Sequence, residues 1–335
     1  MSEKNVVLSV RNLKKYYPVK NTSLLPKKKE YVHAVDDVSF DIYEGETLGL
    51  VGESGCGKST VGRQIVGIEK PTSGSILYKD KDLINMPPKE LGNIRTELQM
   101  IFQDSYASLN PRKRVYEILS EPMLYHRIVT KDQAPKKVEE LLSMVGLPAN
   151  AAERYPHEFS GGQRQRISIA RALSLNPKLI VCDEPVSALD VSIQAQILNL
   201  LRDLQEQIGV TYLFIAHGLG AVHYVSDRIA VMYLGRIVEL GKGQSVFHHA
   251  LHPYTKMLIA AVPVADPSRR NENLQIAEGE VPDAVNLPKG CRFAARCPFA
   301  SEKCRQEEPE LRNHPDADGS EHWSACWRNE EGVIG

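Results

Sequence analysis

The sequence predicts an α/β fold with a buried parallel sheet that serves a nucleotide, and three observations predict it. Apolar strand-like runs, Gly/Pro breaks and helical stretches alternate through residues 1–240. The run Gly52-Glu53-Ser54-Gly55-Cys56-Gly57-Lys58-Ser59-Thr60 stands between the apolar segment Thr47-Leu48-Gly49-Leu50-Val51 and a helix-like segment starting at Val61. A third apolar run, Leu179-Ile180-Val181-Cys182, ends in the adjacent carboxylates Asp183 and Glu184.

The glycine-rich run has the composition and the strand-to-helix setting of a phosphate-binding loop. Its glycines let backbone amides converge on phosphate oxygens, and the following helix presents the positive end of its dipole. Lys58 reaches the β- and γ-phosphates and Ser59 holds Mg²⁺, while Ser54, Gly55, Cys56, Gly57 and Thr60 complete the cradle. The expected ligand is ATP or GTP.

A second glycine-containing helix start follows at Phe159-Ser160-Gly161-Gly162-Gln163, ahead of a helix over 164–175 with apolar Ile167, Ile169, Ala170 and Leu173. Ser160 suits a helix cap, and the exposed amides of such an end also suit phosphate. Taken by itself the run reads as a capped helix after a glycine turn; beside a first cradle, a second phosphate-gripping end suggests a nucleotide sandwiched between two subunits. At the end of the 179–182 strand, Asp183 is placed to support Mg²⁺ and Glu184 to polarise the water that attacks the γ-phosphate.

In order and spacing these motifs resemble the nucleotide-binding subunits of ABC transporters, from the first strand to about residue 260. The resemblance implies a P-loop NTPase with a RecA-like core, an antiparallel β flank and a helical subdomain. It makes 52–60 the Walker A loop, Gln103 the Q-loop glutamine and a further Mg²⁺ contact, Ser160, Gly161, Gly162 and Gln163 the signature, and Asp183 with Glu184 the Walker B pair. It also makes 187–190 the D-loop and His217, after the apolar run 211–216, the switch histidine at the γ-phosphate. Tyr17 resembles the aromatic residue that stacks on adenine, with Tyr16 as the alternative ring and core packing as a third reading for either. One position departs from the pattern, because Gly218 stands where aspartate usually follows the histidine. Glycine there widens the backbone choices of the switch turn.

The runs Ile101-Phe102-Gln103-Asp104, Ser108-Leu109-Asn110-Pro111-Arg112 and His252-Pro253-Tyr254-Thr255 resemble the dipeptide and oligopeptide importer branch. That branch implies a second ATPase subunit as partner, homologous or a second copy in isolation, beneath two membrane permease subunits. An extracytoplasmic peptide-binding protein delivers cargo indirectly, and the place implied is peripheral, on the cytoplasmic face of the membrane. Nickel or another small solute is the alternative cargo. DNA-maintenance and ribosome-acting ATPases of the same superfamily are the alternative classes, disfavoured by the absence of long heptads between the motifs and by a single motif set.

Composition agrees with this placement. The 335 residues suggest roughly two folding units, and 42% apolar residues build a sizeable core. No run reaches the ~20 apolar residues of a membrane-spanning helix, and residues 1–10 mix charges into their short apolar run, unlike a secretory signal. A net charge of -1 argues against nucleic acid as a partner. The short basic run Lys27-Lys28-Lys29 reads as a solvated loop or a weak contact with anionic lipid. Residues 111–160 read as the helical subdomain, with a helix over 133–145 carrying Val138, Leu141, Leu142 and Val145 at helical spacing. The ATPase domain is therefore assigned to 1–262 and a small extension to 263–335, opened by an aperiodic linker.

That extension holds Cys291, Cys297, Cys304 and Cys326, with five, six and twenty-one residues between them. A reducing compartment disfavours disulfides, and structural zinc sites open with tighter pairs than these. The wider spacing and Cys297-Pro298 suit a [4Fe–4S] cluster, which the resemblance to peptide-importer ATPases also implies; zinc and unligated thiols are the alternatives. The expected role is to staple a segment too small to fold alone. Cys56 and Cys182 read as packed thiols, with oxidation of Cys56 as one route to blocking the nucleotide site.

Overall fold

The structure, a computed structural model, describes residues 5–19, 29–262 and 282–333. Lys27 and Lys28 of the basic run, and residues 263–281 at the start of the expected extension, lie outside the described residues. The strands are β1 (Val6–Pro18), β2 (Tyr31–Tyr43), β3 (Thr47–Val51), β4 (Ser73–Tyr78), β5 (Lys81–Asp82) and β6 (Leu98–Ile101). They continue as β7 (Leu179–Asp183), β8 (Thr211–Ala216), β9 (Arg228–Tyr233), β10 (Arg236–Lys242), β11 (Arg312–Asn313) and β12 (His322–Ser324). The helices used below are α1 (Lys58–Ile65), α2 (Pro88–Glu97), α3 (Ser105–Ser108), α4 (Val115–Tyr125), α5 (Ala134–Met144) and α6 (Gly161–Leu173).

The chain forms two compact units that interleave along the sequence. One comprises Met1–Val6, Tyr43–Thr47 and Asn85–Ile215; the other comprises Val7–Ile42, Leu48–Ile84 and Ala216–Gly335.

In the first unit β6, β7 and β8 run parallel, with Leu98 opposite Leu179, Ile101 opposite Cys182, and Asp183 opposite Ile215. Every residue of β7 and β8 is buried. A parallel strand covered on both faces needs such an unbroken apolar run, and each fully buried Leu or Ile contributes about 1.5–3 kcal/mol. The helices α4, α5 and α6 pack on one another in the expected 111–160 region and just beyond it. α5 matches the helix expected over 133–145, with Val138, Leu141 and Leu142 on its buried face and Pro135 in its first turn. α6 begins three residues earlier than its apolar pattern implied, because Ser160 and Gln163 form a capping box that lets both glycines enter the first turn.

In the second unit the antiparallel flank is present. β1 lies between β2 and β4, and β4 pairs antiparallel with both β1 and β5. β3 pairs parallel with β9, and β10 runs back along β9. The turn between those two is Leu234-Gly235, with φ of 42° and 81°, the pair of positive angles that a tight hairpin between twisted strands requires. The segment 282–333 has no sustained apolar period, yet it is attached to this unit. β12 pairs antiparallel with β10, and β11 with β12. Arg292 donates to the Asp36 carboxylate and the Leu234 carbonyl, and to Glu308 at 3.0 Å. Among the described residues no helix is long and apolar enough to cross a membrane.

Candidate functional site

The phosphate-loop residues lie in the second unit. β3 is wholly buried and delivers the chain to Gly52, and α1 begins at Lys58 with Gly57 as its cap. Two glycines are sterically required. A Cβ at Gly52 would fall 2.1 Å from the Met232 carbonyl oxygen, and one at Gly57, whose φ is 106°, would fall 2.0 Å from that of Ala34. Lys58 is only 3% exposed, and its ammonium donates to the carbonyls of Gly52 at 2.7 Å and Glu53 at 3.0 Å. Such a cation, held on backbone dipoles beside a turn with exposed Ser54 and Gly55, can exchange those carbonyls for phosphate oxygens.

Tyr17 is half-buried beside this loop, where its hydroxyl hydrogen-bonds Glu69 and Thr60; burial, then the Glu69 bond, raises its pKa. Tyr16 is committed elsewhere. Its hydroxyl donates to Asp36, its ring sits 4.2 Å from that of His33, and burial with the Asp36 bond pushes its pKa up to about 12. Of the two rings, Tyr17 is the one tied to the loop helix.

The first unit carries the carboxylates and the second helix end. Asp183 closes β7 and is 2% exposed. Glu184 follows at φ 47°, a left-handed conformation costing a non-glycine residue about 1–3 kcal/mol. The strain is held by local bonds. The Glu184 N–H donates to the Ile215 carbonyl at 2.9 Å, and the Ser187 hydroxyl donates to the Glu184 carbonyl at 3.1 Å. Gln103, two residues beyond β6, donates its amide N–H to Glu184 Oε2 at 2.9 Å. The parallel register thus brings Gln103, Asp183 and Glu184 to one end of neighbouring strands. Ser160 accepts the Gln163 N–H at 3.4 Å while Gln163 Oε1 accepts the Ser160 N–H at 3.1 Å. Capping and an exposed α6 terminus coexist, so Ser160 serves the helix without leaving the surface.

The profile of the ABC transporter family matches residues 35–187, and that of the oligopeptide/dipeptide transporter C-terminal region matches residues 238–304. The oligopeptide transport ATP-binding protein AppF of Bacillus subtilis is 49% identical over 97% of this chain and 98% of its own length. The oligopeptide transport ATP-binding protein OppF of Salmonella typhimurium is 50% identical over 93% of this chain and 94% of its own. The chain belongs to the ABC transporter family.

The fold agrees. A dimeric, post-hydrolysis structure of the ATP-binding cassette MJ0796 with ADP and Pi superposes with TM-score 0.61 at 29% identity, covering 70% of this chain and 98% of that one. CbiO1 of Clostridium perfringens, part of the transporter complex cbiONQ, gives TM-score 0.63 at 28% identity, covering 74% of this chain and 93% of that one. This ABC ATPase therefore has the cassette architecture that its loop and strand order imply.

Three expectations need adjustment against the geometry. Gly218 caps the helix after β8 with φ −98° and ψ 124°, angles open to any residue, so the turn after His217 does not use the freedom of glycine. Cys56 is 4% exposed and its thiol is pushed up by burial, more than the Lys58 ammonium lowers it, so it is poorly suited to oxidation. The third concerns the four C-terminal cysteines. Burial pushes Cys291 up to about 12 and Cys297 up to about 11, and the charges of Cys326, Cys304 and, at Cys291, Cys297 push further the same way. Yet among the described residues no group of three or more His, Cys, Asp or Glu is arranged to hold a metal ion. The four thiols therefore lack chelating geometry.

The structure also adds contacts that the sequence did not suggest. Glu53, inside the loop, is held by Arg296, 243 residues away, through bonds of 2.8 and 3.0 Å, and its N–H donates to the Tyr254 hydroxyl at 2.8 Å. Tyr254 carries a family motif and Arg296 precedes a cysteine, but neither pattern states a target.

Proposed function

We propose that this chain is the ATP-hydrolysing subunit of a peptide importer, paired with a second ATPase subunit and seated against two membrane subunits. The observation that carries this reading is similarity along almost the whole chain, C-terminal segment included, to proteins named for oligopeptide and dipeptide transport, at 46–53% identity. The dimeric cassette structures support pairing. The exposed, capped α6 terminus suits a role in closing over nucleotide bound to the partner.

In this reading Lys58, with the amides of 54–60, holds the phosphates of ATP; Ser59, Asp183 and Gln103 hold Mg²⁺, which neutralises charge on the phosphates; and Tyr17 takes the adenine. Glu184, oriented by Gln103, draws the proton from the attacking water, and His217 contacts the γ-phosphate. ATP binding closes the pair and hydrolysis reopens it, moving the membrane subunits between inward- and outward-facing states. An extracytoplasmic binding protein supplies the peptide, and the chain works at the cytoplasmic face of the membrane.

In this reading Cys291, Cys297, Cys304 and Cys326 of the extension assigned to 263–335 would hold a [4Fe–4S] cluster. The reading rests on the number and spacing of the four thiols, since their described arrangement has no chelating geometry. Anaerobic purification yielding iron and acid-labile sulfide in equal amounts supports the cluster; thiols that all titrate freely in native protein exclude it.

Reconstitution with the membrane subunits and binding protein in vesicles tests the main reading. Uptake of a labelled peptide should require ATP, and ATPase activity should rise with the membrane subunits and not with DNA or ribosomes. Uptake of nickel in place of peptide would reassign the cargo.

A further inference from the structure

Glu53 is the one acidic residue within the phosphate loop, and a carboxylate beside bound triphosphate is electrostatically unfavourable unless it is neutralised. Arg296 supplies that neutralisation from the C-terminal segment. Its guanidinium meets both Glu53 oxygens, at 2.8 and 3.0 Å, and its side chain is only 8% exposed. A planar fork on a carboxylate fixes direction as well as charge. The main chain of Glu53 is fixed at the same time, because its N–H donates to Tyr254 Oη at 2.8 Å while its carbonyl accepts from Lys58 at 3.0 Å. Tyr254 is fully buried, with its ring 4.6 Å from that of Tyr233 and 5.4 Å from that of Phe293. Three residues further along, the Cys56 carbonyl accepts the Gly235 N–H at 3.0 Å. The loop is thus held on its side chain and on its backbone by residues far beyond it in sequence.

We propose that Arg296 and Tyr254 are positioning residues for nucleotide binding: by fixing Glu53 they keep the phosphate loop and Lys58 in the binding-competent conformation. This rests on the reading of 52–60 as the ATP site. The physical consequence is specific. A loop released from these bonds samples other conformations, and apparent affinity falls by the fraction still competent, whereas the chemistry after binding is unchanged. The effect therefore appears in Kd and KM and leaves kcat at saturating ATP near its original value.

The test uses the full chain with its partner subunit, ATP and ADP as probes, and three variants. Tyr254→Phe removes the acceptor and keeps the packed ring, so folding is preserved; Arg296→Ala removes the fork; Arg296→Lys keeps charge without the fork. Tyr254→Phe and Arg296→Ala should each raise the nucleotide Kd on the order of tenfold, the scale of one buried group left unpaired. Arg296→Lys should recover part of the loss, and Arg296→Ala should have little further effect in a Glu53→Ala background. Unchanged Kd in Tyr254→Phe and Arg296→Ala, while Lys58→Ala loses binding in the same titration, overturns the inference and leaves the ATP site intact. Full affinity in Lys58→Ala overturns the reading of the loop, and the inference with it.

Discussion

Replacing Glu184 with glutamine isolates one chemical property at the proposed catalytic carboxylate. The two side chains have the same length and shape, and the remaining amide oxygen can still accept the Gln103 N–H that now lies 2.9 Å from Oε2. The backbone at φ 47° is held by the Ile215 carbonyl and the Ser187 hydroxyl, neither of which touches the substituted group. Local structure is therefore conserved and only basicity is lost. General-base catalysis contributes about 10²–10⁴-fold, or roughly 2.7–5.5 kcal/mol of barrier, so kcat should fall by that factor while ATP affinity is unchanged. Phosphate release under steady-state and single-turnover conditions gives the rate, and nucleotide titration of the same protein gives the affinity. The closed pair should persist with ATP bound, which size-exclusion chromatography detects. A kcat within about tenfold of the parent, at unaltered affinity, would refute the role. Loss of affinity would instead make Glu184 part of the binding surface.

Three further outcomes follow from the geometry. Gly57→Ala forces a Cβ to 2.0 Å from the Ala34 carbonyl at φ 106°, which costs about 1–3 kcal/mol in backbone strain before the clash is counted; both Tm and ATP binding should drop, and wild-type values for both would show that the loop is not held as described. Gly218→Asp places a Cβ with nothing within 4 Å on a backbone of ordinary angles, so stability should change by less than about 0.5 kcal/mol in denaturant titration. The third is a pH dependence. Burial of His322 lowers its pKa, but bonds to Glu239 and Asp316 more than reverse this, and its folded pKa lies above the ordinary value near 6.5. The stability it contributes is thus complete below about pH 6.5 and lost as pH rises through the folded pKa. His322→Gln should flatten the alkaline side of a Tm-against-pH curve, and an unaltered slope would exclude His322 as its source. His252 acts oppositely, because burial holds it down to about 4, and stability falls as pH drops from 6.5 toward that value.

Legibility in the sequence followed the range over which each constraint acts. The strand-to-helix setting of 52–60 was readable because a glycine-rich turn between an apolar run and a helical pattern is a contiguous signal, and β3 and α1 supply that setting. β7 and β8 were readable because burial on both faces demands unbroken apolar runs. α5 was readable because a single buried face imposes the spacing of Val138, Leu141 and Leu142. Where a constraint acts between distant segments, local pattern was silent or misleading. β12 has three residues, too few to show a period, yet pairing with β10 and the His322–Glu239 contact at 2.8 Å attach it. The glycine after His217 suggested an unusual turn, but backbone angles come from the neighbouring chain and proved ordinary. The clearest case is Glu53. Read locally it fills a variable place in a loop defined by its glycines, and Arg296 looks like one more basic residue in a cysteine-bearing segment. Only the fold makes them a pair, and a pair joined by two bonds, with the guanidinium buried and the carboxylate partly exposed, has energetic weight that a fully exposed pair lacks. Since one end of that pair lies in the run 52–60, the C-terminal segment is bonded directly to the loop proposed to bind phosphate, whatever its cysteines carry.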